Sequence, residues 1–120
     1  MSSDDPRPET LLPLQPATFH ILLAVADQDR HGYAIIQEVV TRTDGAVRLS
    51  AGTLYRSIQR MLEQGLLTET QERPAPDEDD ERRRYYRITE FGAAVARAEA
   101  HRLARLVDLA QASGLIPSRV

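Results

Sequence analysis

The stretch from Ser50 to Gly65 constrains this chain more than any other. At about 100° per residue, Leu54, Ile58, Met61, Leu62 and the Tyr55 ring fall on one arc. Arg56, Gln59, Arg60 and Glu63 fall on the opposite arc, with Thr53 and Ser57 on its flank. The division predicts a helix over 51–64 that buries a mostly aliphatic face. Ser50 suits its N-cap, because a hydroxyl there accepts from a backbone N–H that the first turn leaves unpaired. Gly65 suits its end. The outward face holds groups that hydrogen-bond to bases and phosphates. A solvated helix often looks the same, so the neighbouring segments decide what that face means.

Upstream, Pro16 stands where a first helical residue would, and Phe19, Leu22, Leu23 and Ala26 recur at helical spacing. This predicts a helix over 16–27 that ends in the polar run Asp27–Arg30. Gly32 opens a second periodic stretch, Tyr33, Ile35, Ile36, Val39 and Val40, which predicts a helix over 32–43 stopping at the turn dipeptide Asp44-Gly45. Residues 1–15 carry Pro6, Pro8 and Pro13 without a clear period. They read as a flexible tail that docks late through Leu11, Leu12 and Leu14.

Downstream, Leu66–Glu72 loosely alternates, and Arg83–Ile88 is rich in aromatic and branched residues. Two short strands with a loop between them form a wing over about 66–88. Tyr85 and Tyr86 should then point to opposite faces, one into the core and one partly exposed. Thr89 caps a long helix reaching about Ala112, with Gly114 and Pro117 beyond it. The fold class is therefore mainly α with a small two-stranded β wing (α+β). It consists of a winged helix-turn-helix over 16–88 and a long C-terminal dimerisation helix over 89–115.

That order points to DNA. An α-helix fits the major groove, arginine pairs bidentately with guanine, and glutamine does so with adenine. Arg56, Gln59 and Arg60 are suitable readers, with Ser50 and Thr53 at the helix start, where the dipole favours an anion. The net charge of −3 argues the other way. However, every basic residue is arginine, and Arg42, Arg48, Arg56 and Arg60 face only Asp44 between positions 42 and 62. Screening over about 8 Å makes that local balance the relevant one.

The strings His31-Gly32-Tyr33-Ala34-Ile35, Gly52-Thr53-Leu54-Tyr55-Arg56, Glu63-Gln64-Gly65-Leu66-Leu67 and Arg84-Tyr85-Tyr86-Arg87-Ile88-Thr89-Glu90-Phe91-Gly92 resemble the PadR family of transcriptional regulators. The resemblance runs from about Leu14 to Leu115. It implies a winged-helix repressor, dimeric through its C-terminal helix and often released from double-stranded operator DNA by a small ligand. It places Ser50, Thr53, Tyr55, Arg56, Gln59 and Arg60 on the recognition helix. It also places Tyr33 at the start of the preceding helix near the phosphate backbone, and Arg82, Arg83 and Arg84 on the wing. Tyr33 and Tyr55 could equally be core residues with a wet hydroxyl. Wings in the family often carry a glycine before the basic stretch, and this chain has none, so the shape of the wing tip stays open.

The run Asp77-Glu78-Asp79-Asp80-Glu81 abuts those wing arginines. A loop that swings away from DNA is the preferred reading; pairing with the arginines in the free protein and cation binding are the alternatives. On the long helix, Phe91, Val95, Ala98, Leu103, Leu106 and Leu109 form an apolar stripe interrupted by Arg102, which should pair with an acid such as Glu99. A domain this small is expected to leave part of the stripe for a second copy, giving a homodimer that reads an inverted repeat.

Other functions find less support. The chain has no cysteine, and His20, His31 and His101 lack metal-ligand spacing. No Gly-rich phosphate loop or nucleophile motif occurs. The expectation is no enzyme, cofactor, metal or membrane segment, and a cytoplasmic location. A winged helix used only for protein contact is the rival reading, and the arginines on the outer arc speak against it.

Overall fold

The protein, described by a computed structural model over residues 7–70 and 84–117, is built around one buried helix. This helix, α1 (Pro16–Val25), buries Ile21, Leu22, Ala24 and Val25 and packs against the three other α-helices. Those are α2 (Gly32–Arg42), α3 (Ala51–Glu63) and α4 (Glu90–Ala112). The long helices begin at side-chain caps that satisfy otherwise unpaired N–H groups. His31 Nδ1 accepts from Ala34 N–H, Ser50 Oγ from Thr53 N–H, and Thr89 Oγ1 from Gly92 N–H.

Two arginines donate to carbonyls in the last turn of α1, one of which, Leu23 O, also takes the Ala26 N–H. Arg30 Nε donates to Ala24 O at 2.6 Å, and an Arg42 terminal nitrogen donates to Leu23 O at 2.8 Å. Glu38 of α2 bridges the two guanidiniums. Cations at a helix C-terminus also complement its dipole, so this cluster ties α1 to α2.

The sheet has three strands where two were expected. A two-residue strand, β1 (Arg30–His31), lies on the free edge of the hairpin formed by β2 (Leu67–Thr70) and β3 (Tyr85–Ile88). All pairings are antiparallel; Arg30 faces Tyr86, and Leu67 faces Ile88. β1 starts at Arg30, the last residue of the polar run read above as the end of the first helix, and takes in His31. Two residues carry no alternation to recognise. Asp29, just before it, holds Arg87 of β3 through a bidentate ion pair. The added strand also explains why both tyrosines are buried. Tyr86 joins the core, and Tyr85 on the other face is covered by the His31 ring, edge-on at 5.3 Å.

Within the stretch read as a tail, Pro8–Leu11 form a 3-10 turn against α4, while Leu11, Leu12 and Leu14 pack on the core. The α4 residues expected at a dimer face separate along the helix. Val95 is fully buried inside its own chain, out of a partner's reach, and Phe91 is half-buried beside that core. The reason is that Thr89 anchors the start of α4 to the end of α3, through bonds to Gly65 O and Leu66 O. Leu106 and Leu109, farther along, are 49% and 63% exposed.

Candidate nucleic-acid interface

α3 divides as its periodicity requires. Leu54, Ile58 and Met61 are buried, while Arg56, Gln59 and Arg60 face outward. Tyr55 departs from the expected arc: half of it is exposed. Its ring lies over the start of α2, where a Cβ placed on Gly32 would come within 2.3 Å of the Tyr55 hydroxyl. Only a glycine leaves room for this contact. Tyr55 thereby fixes α3 against α2 while remaining accessible, and Tyr33 at the start of α2 is 59% exposed. The structure thus resolves the choice between core and surface for both tyrosines in favour of the surface.

The first turn of α3 gathers hydroxyls. Ser50 Oγ and Thr53 Oγ1 lie 3.1 Å apart, and the Arg56 guanidinium reaches Thr53 Oγ1 at 3.5 Å. One turn on, Gln59 Nε2 donates to Glu63 Oε2 at 3.4 Å. Tyr33, Ser50, Thr53, Tyr55, Arg56, Gln59 and Arg60 therefore belong to two adjoining helices. Arg84, at the foot of β3, is exposed and pairs with Glu69 of β2 at 3.3 Å. Arg82, Arg83 and the acidic run 77–81 lie outside the described residues.

The arginines divide by whether a carboxylate holds them. Arg30, Arg42, Arg84, Arg87 and Arg102 each hold a carboxylate. Among the described residues, Arg48, Arg56 and Arg60 hold none, and neither do Arg7, Arg97 and Arg105 elsewhere. The Arg102–Glu99 pair was expected from the sequence, whereas the pairs of Arg84 and Arg87 with acids far along the chain were not, because nothing in a sequence distinguishes an arginine held by a distant acid from a free one.

The profile of the transcriptional regulator PadR-like family matches residues 21–98, from the second half of α1 through α2, α3 and the sheet into the first half of α4. The chain belongs to the PadR-like family. An uncharacterised protein of Lysinibacillus sphaericus is 34% identical to this chain over 74 residues. That match covers 62% of this chain and 65% of the relative, so the chain spans just under two thirds of its length. A transcriptional regulator from Clostridium thermocellum superimposes with a TM-score of 0.66 at 22% identity, covering 78% of this chain and 84% of the other. A PadR family regulator from Clostridium difficile gives a TM-score of 0.66 at 20% identity, covering 85% of this chain and all of that one. These solved structures establish the winged-helix PadR fold.

A second surface of this PadR-like chain lies on α4. A groove of about 550 Å³ runs between the N-terminal turn and α4, lined by Glu9, Leu12, Ala98, Leu106 and Leu109 with His101, Arg102 and Arg105. Leu103 beside it is half-buried. Glu99, buried although charged, braces the groove. It takes Nε and a terminal nitrogen of Arg102 at 2.6 and 3.0 Å and the Leu14 N–H at 3.1 Å. The Arg102 hydrogen bonds hold its carboxyl below the ordinary range; burial opposes this, and the Leu14 N–H adds to it. Among the described residues no helix is long and apolar enough to cross a membrane.

Proposed function

We propose that this chain is a homodimeric transcriptional repressor that reads an inverted repeat in double-stranded DNA. One observation carries the reading: Arg56, Gln59 and Arg60 stand exposed together on the outer arc of α3, and neither Arg56, Arg60 nor Arg48 just before the helix is held by a carboxylate. A guanidinium already bound to a carboxylate has to lose that bond before it meets phosphate or base. Arg56 and Arg60 have no such bond to lose. In this reading Arg56, Gln59 and Arg60 meet base edges, Ser50 and Thr53 approach the strand at the helix start, and Tyr33 and Tyr55 meet phosphates, joined by Arg84 once it exchanges Glu69 for a phosphate. The groove on α4 takes the second copy, with Ala98, Leu103, Leu106 and Leu109 as the apolar contacts and the Glu99–Arg102 pair at their edge. A twofold axis there would set two α3 helices in successive major grooves about 34 Å apart. A small molecule seated at that interface would release the DNA by changing the spacing.

The test is binding of the protein to duplexes from its own upstream region and to a scrambled duplex. Specific binding is expected, with log affinity falling steeply as log salt rises. Arg56→Ala should lose about 1–3 kcal/mol and relax preference at one base pair. Equal affinity for both duplexes, with an intact dimer, would rule out sequence-specific regulation.

A further inference from the structure

Arg48 has no role in the recognition helix, yet it is the unpaired arginine nearest its start, two residues before the Ser50 cap. Its side chain folds back across the turn between α2 and α3. A Cβ on Gly45 would lie 3.2 Å from a terminal nitrogen of Arg48, and Gly45 has a φ of +82° that side-chain-bearing residues rarely adopt. A glycine at this turn therefore both permits the backbone path and leaves room for the guanidinium. Asp44 stands in the same turn and does not pair with it.

The guanidinium borders a groove of about 500 Å³ along α2. Tyr33, Gln37 and Thr41 recur every fourth residue and form its polar row, while Ile36 and Val40 give it aliphatic surface. The Tyr33 hydroxyl accepts from Gln37 Nε2 at 2.9 Å. No residue lining the groove is acidic. The groove adjoins α3 at both ends: Arg48 leads directly into the Ser50 cap, and Tyr33 follows Gly32, on which the Tyr55 ring rests. A cation, an amide and two hydroxyls over an aliphatic floor match a sugar–phosphate backbone. Its phosphate oxygens accept hydrogen bonds, and its deoxyribose presents C–H surface.

We propose that Arg48, seated by the Gly45 turn, clamps one phosphate of the strand that runs past the start of α3, with Tyr33, Gln37 and Thr41 lining the path of that strand. The clamp is independent of base sequence and sets the register in which Arg56, Gln59 and Arg60 read. This inference rests on the DNA-binding reading above and adds a residue and a contact to it.

Fluorescence anisotropy with the full chain tests it, using labelled duplexes that tile its upstream region, a scrambled duplex and a series of sodium chloride concentrations. Arg48→Ala should weaken binding to preferred and scrambled duplexes by the same factor. It should also lower the slope of log affinity against log salt by about 0.9 per protomer, one phosphate contact. Arg48→Lys should recover most of that slope, since a point charge still neutralises a phosphate. The Arg48 side chain is exposed, so the melting temperature should not move. A wild-type slope in Arg48→Ala overturns the clamp and leaves the DNA reading intact. So does a change in base preference without a change in slope. A wild-type chain that binds no duplex overturns both.

Discussion

α3 and α4 are both amphipathic, both start at a hydroxyl cap and both are followed by a glycine of positive φ, yet their apolar stripes have different fates. In α3 the division is around the axis: one arc is buried along the whole helix and the other is exposed. In α4 it is along the axis. Val95 and Leu106 lie on one stripe, but the first is fully buried and the second is 49% exposed. A short helix lying across α1 can cover its whole apolar arc within the chain. A helix of 23 residues outruns the domain that covers it. In the proposed function the exposed half of α4 takes the second copy, and the exposed arc of arginines takes the DNA.

The largest effect should come from the covered half of α4. Val95→Ala removes two methyl groups from a fully buried site and should cost about 2–3 kcal/mol in denaturant unfolding. An effect below about 0.5 kcal/mol would mean that α4 is held by its second half, reversing the comparison. Glu99, at the junction between the halves, comes next. Glu99→Gln weakens its bonds to Arg102 and to Leu14 N–H, and about 1–2 kcal/mol should be lost at neutral pH. Because the folded carboxyl is held below its ordinary value of 4.5, this contribution is fully present above that value. It disappears as pH falls through the depressed one. The stability gap between wild type and Glu99→Gln should therefore close in that acid window. A gap that stays constant there would show that the carboxylate's charge is not what matters.

The caps separate the two helices at a smaller scale. Thr89→Ala removes an N-cap and a hydrogen bond from its hydroxyl to Gly65 O, whereas Ser50→Ala removes a cap at the exposed end of α3. The first should cost about 1–2 kcal/mol and the second about 0.5–1 kcal/mol. Of the two, only Ser50→Ala should also weaken binding to DNA. Thermal melts paired with anisotropy check both; a DNA defect in Thr89→Ala at a temperature where it is fully folded would break the distinction.

Much of this was legible in the sequence, for identifiable reasons. The helices announce themselves through apolar spacing and through Ser50 and Thr89 at their starts, and four short strings carried the family. The arc of Arg56, Gln59 and Arg60 followed from periodicity alone. β1 did not, since a two-residue strand has no period and depends on the Tyr85–Tyr86 edge far along the chain. Its omission also led to one tyrosine being placed partly in solvent. Tyr55 sits at the margin of the helical arc, where a few degrees and the absence of a Cβ on Gly32 decide exposure. The arginine pairing depends on contacts such as Arg87 with Asp29, 58 residues apart. Val95 was assigned to the dimer because a stripe shows which residues share a face and not what covers each part of it.

Leu109→Ala should have the smallest effect on unfolding and the most diagnostic effect on assembly. The side chain is 63% exposed, so in the separated protomer truncation should change stability by less than about 0.5 kcal/mol. If the α4 groove takes a second copy, the same side chain is buried in the dimer, and its loss should raise the dimer dissociation constant about tenfold or more. Sedimentation over a dilution series measures that constant directly. The two numbers together sharpen the comparison between the helix halves: Val95 should move the unfolding free energy and Leu109 the dissociation constant. DNA affinity should follow the second, because one α3 alone gives up half of an inverted repeat. A Leu109→Ala protein that dimerises as the wild type does would place the second copy on another face, and the exposed end of α4 would then need a different partner.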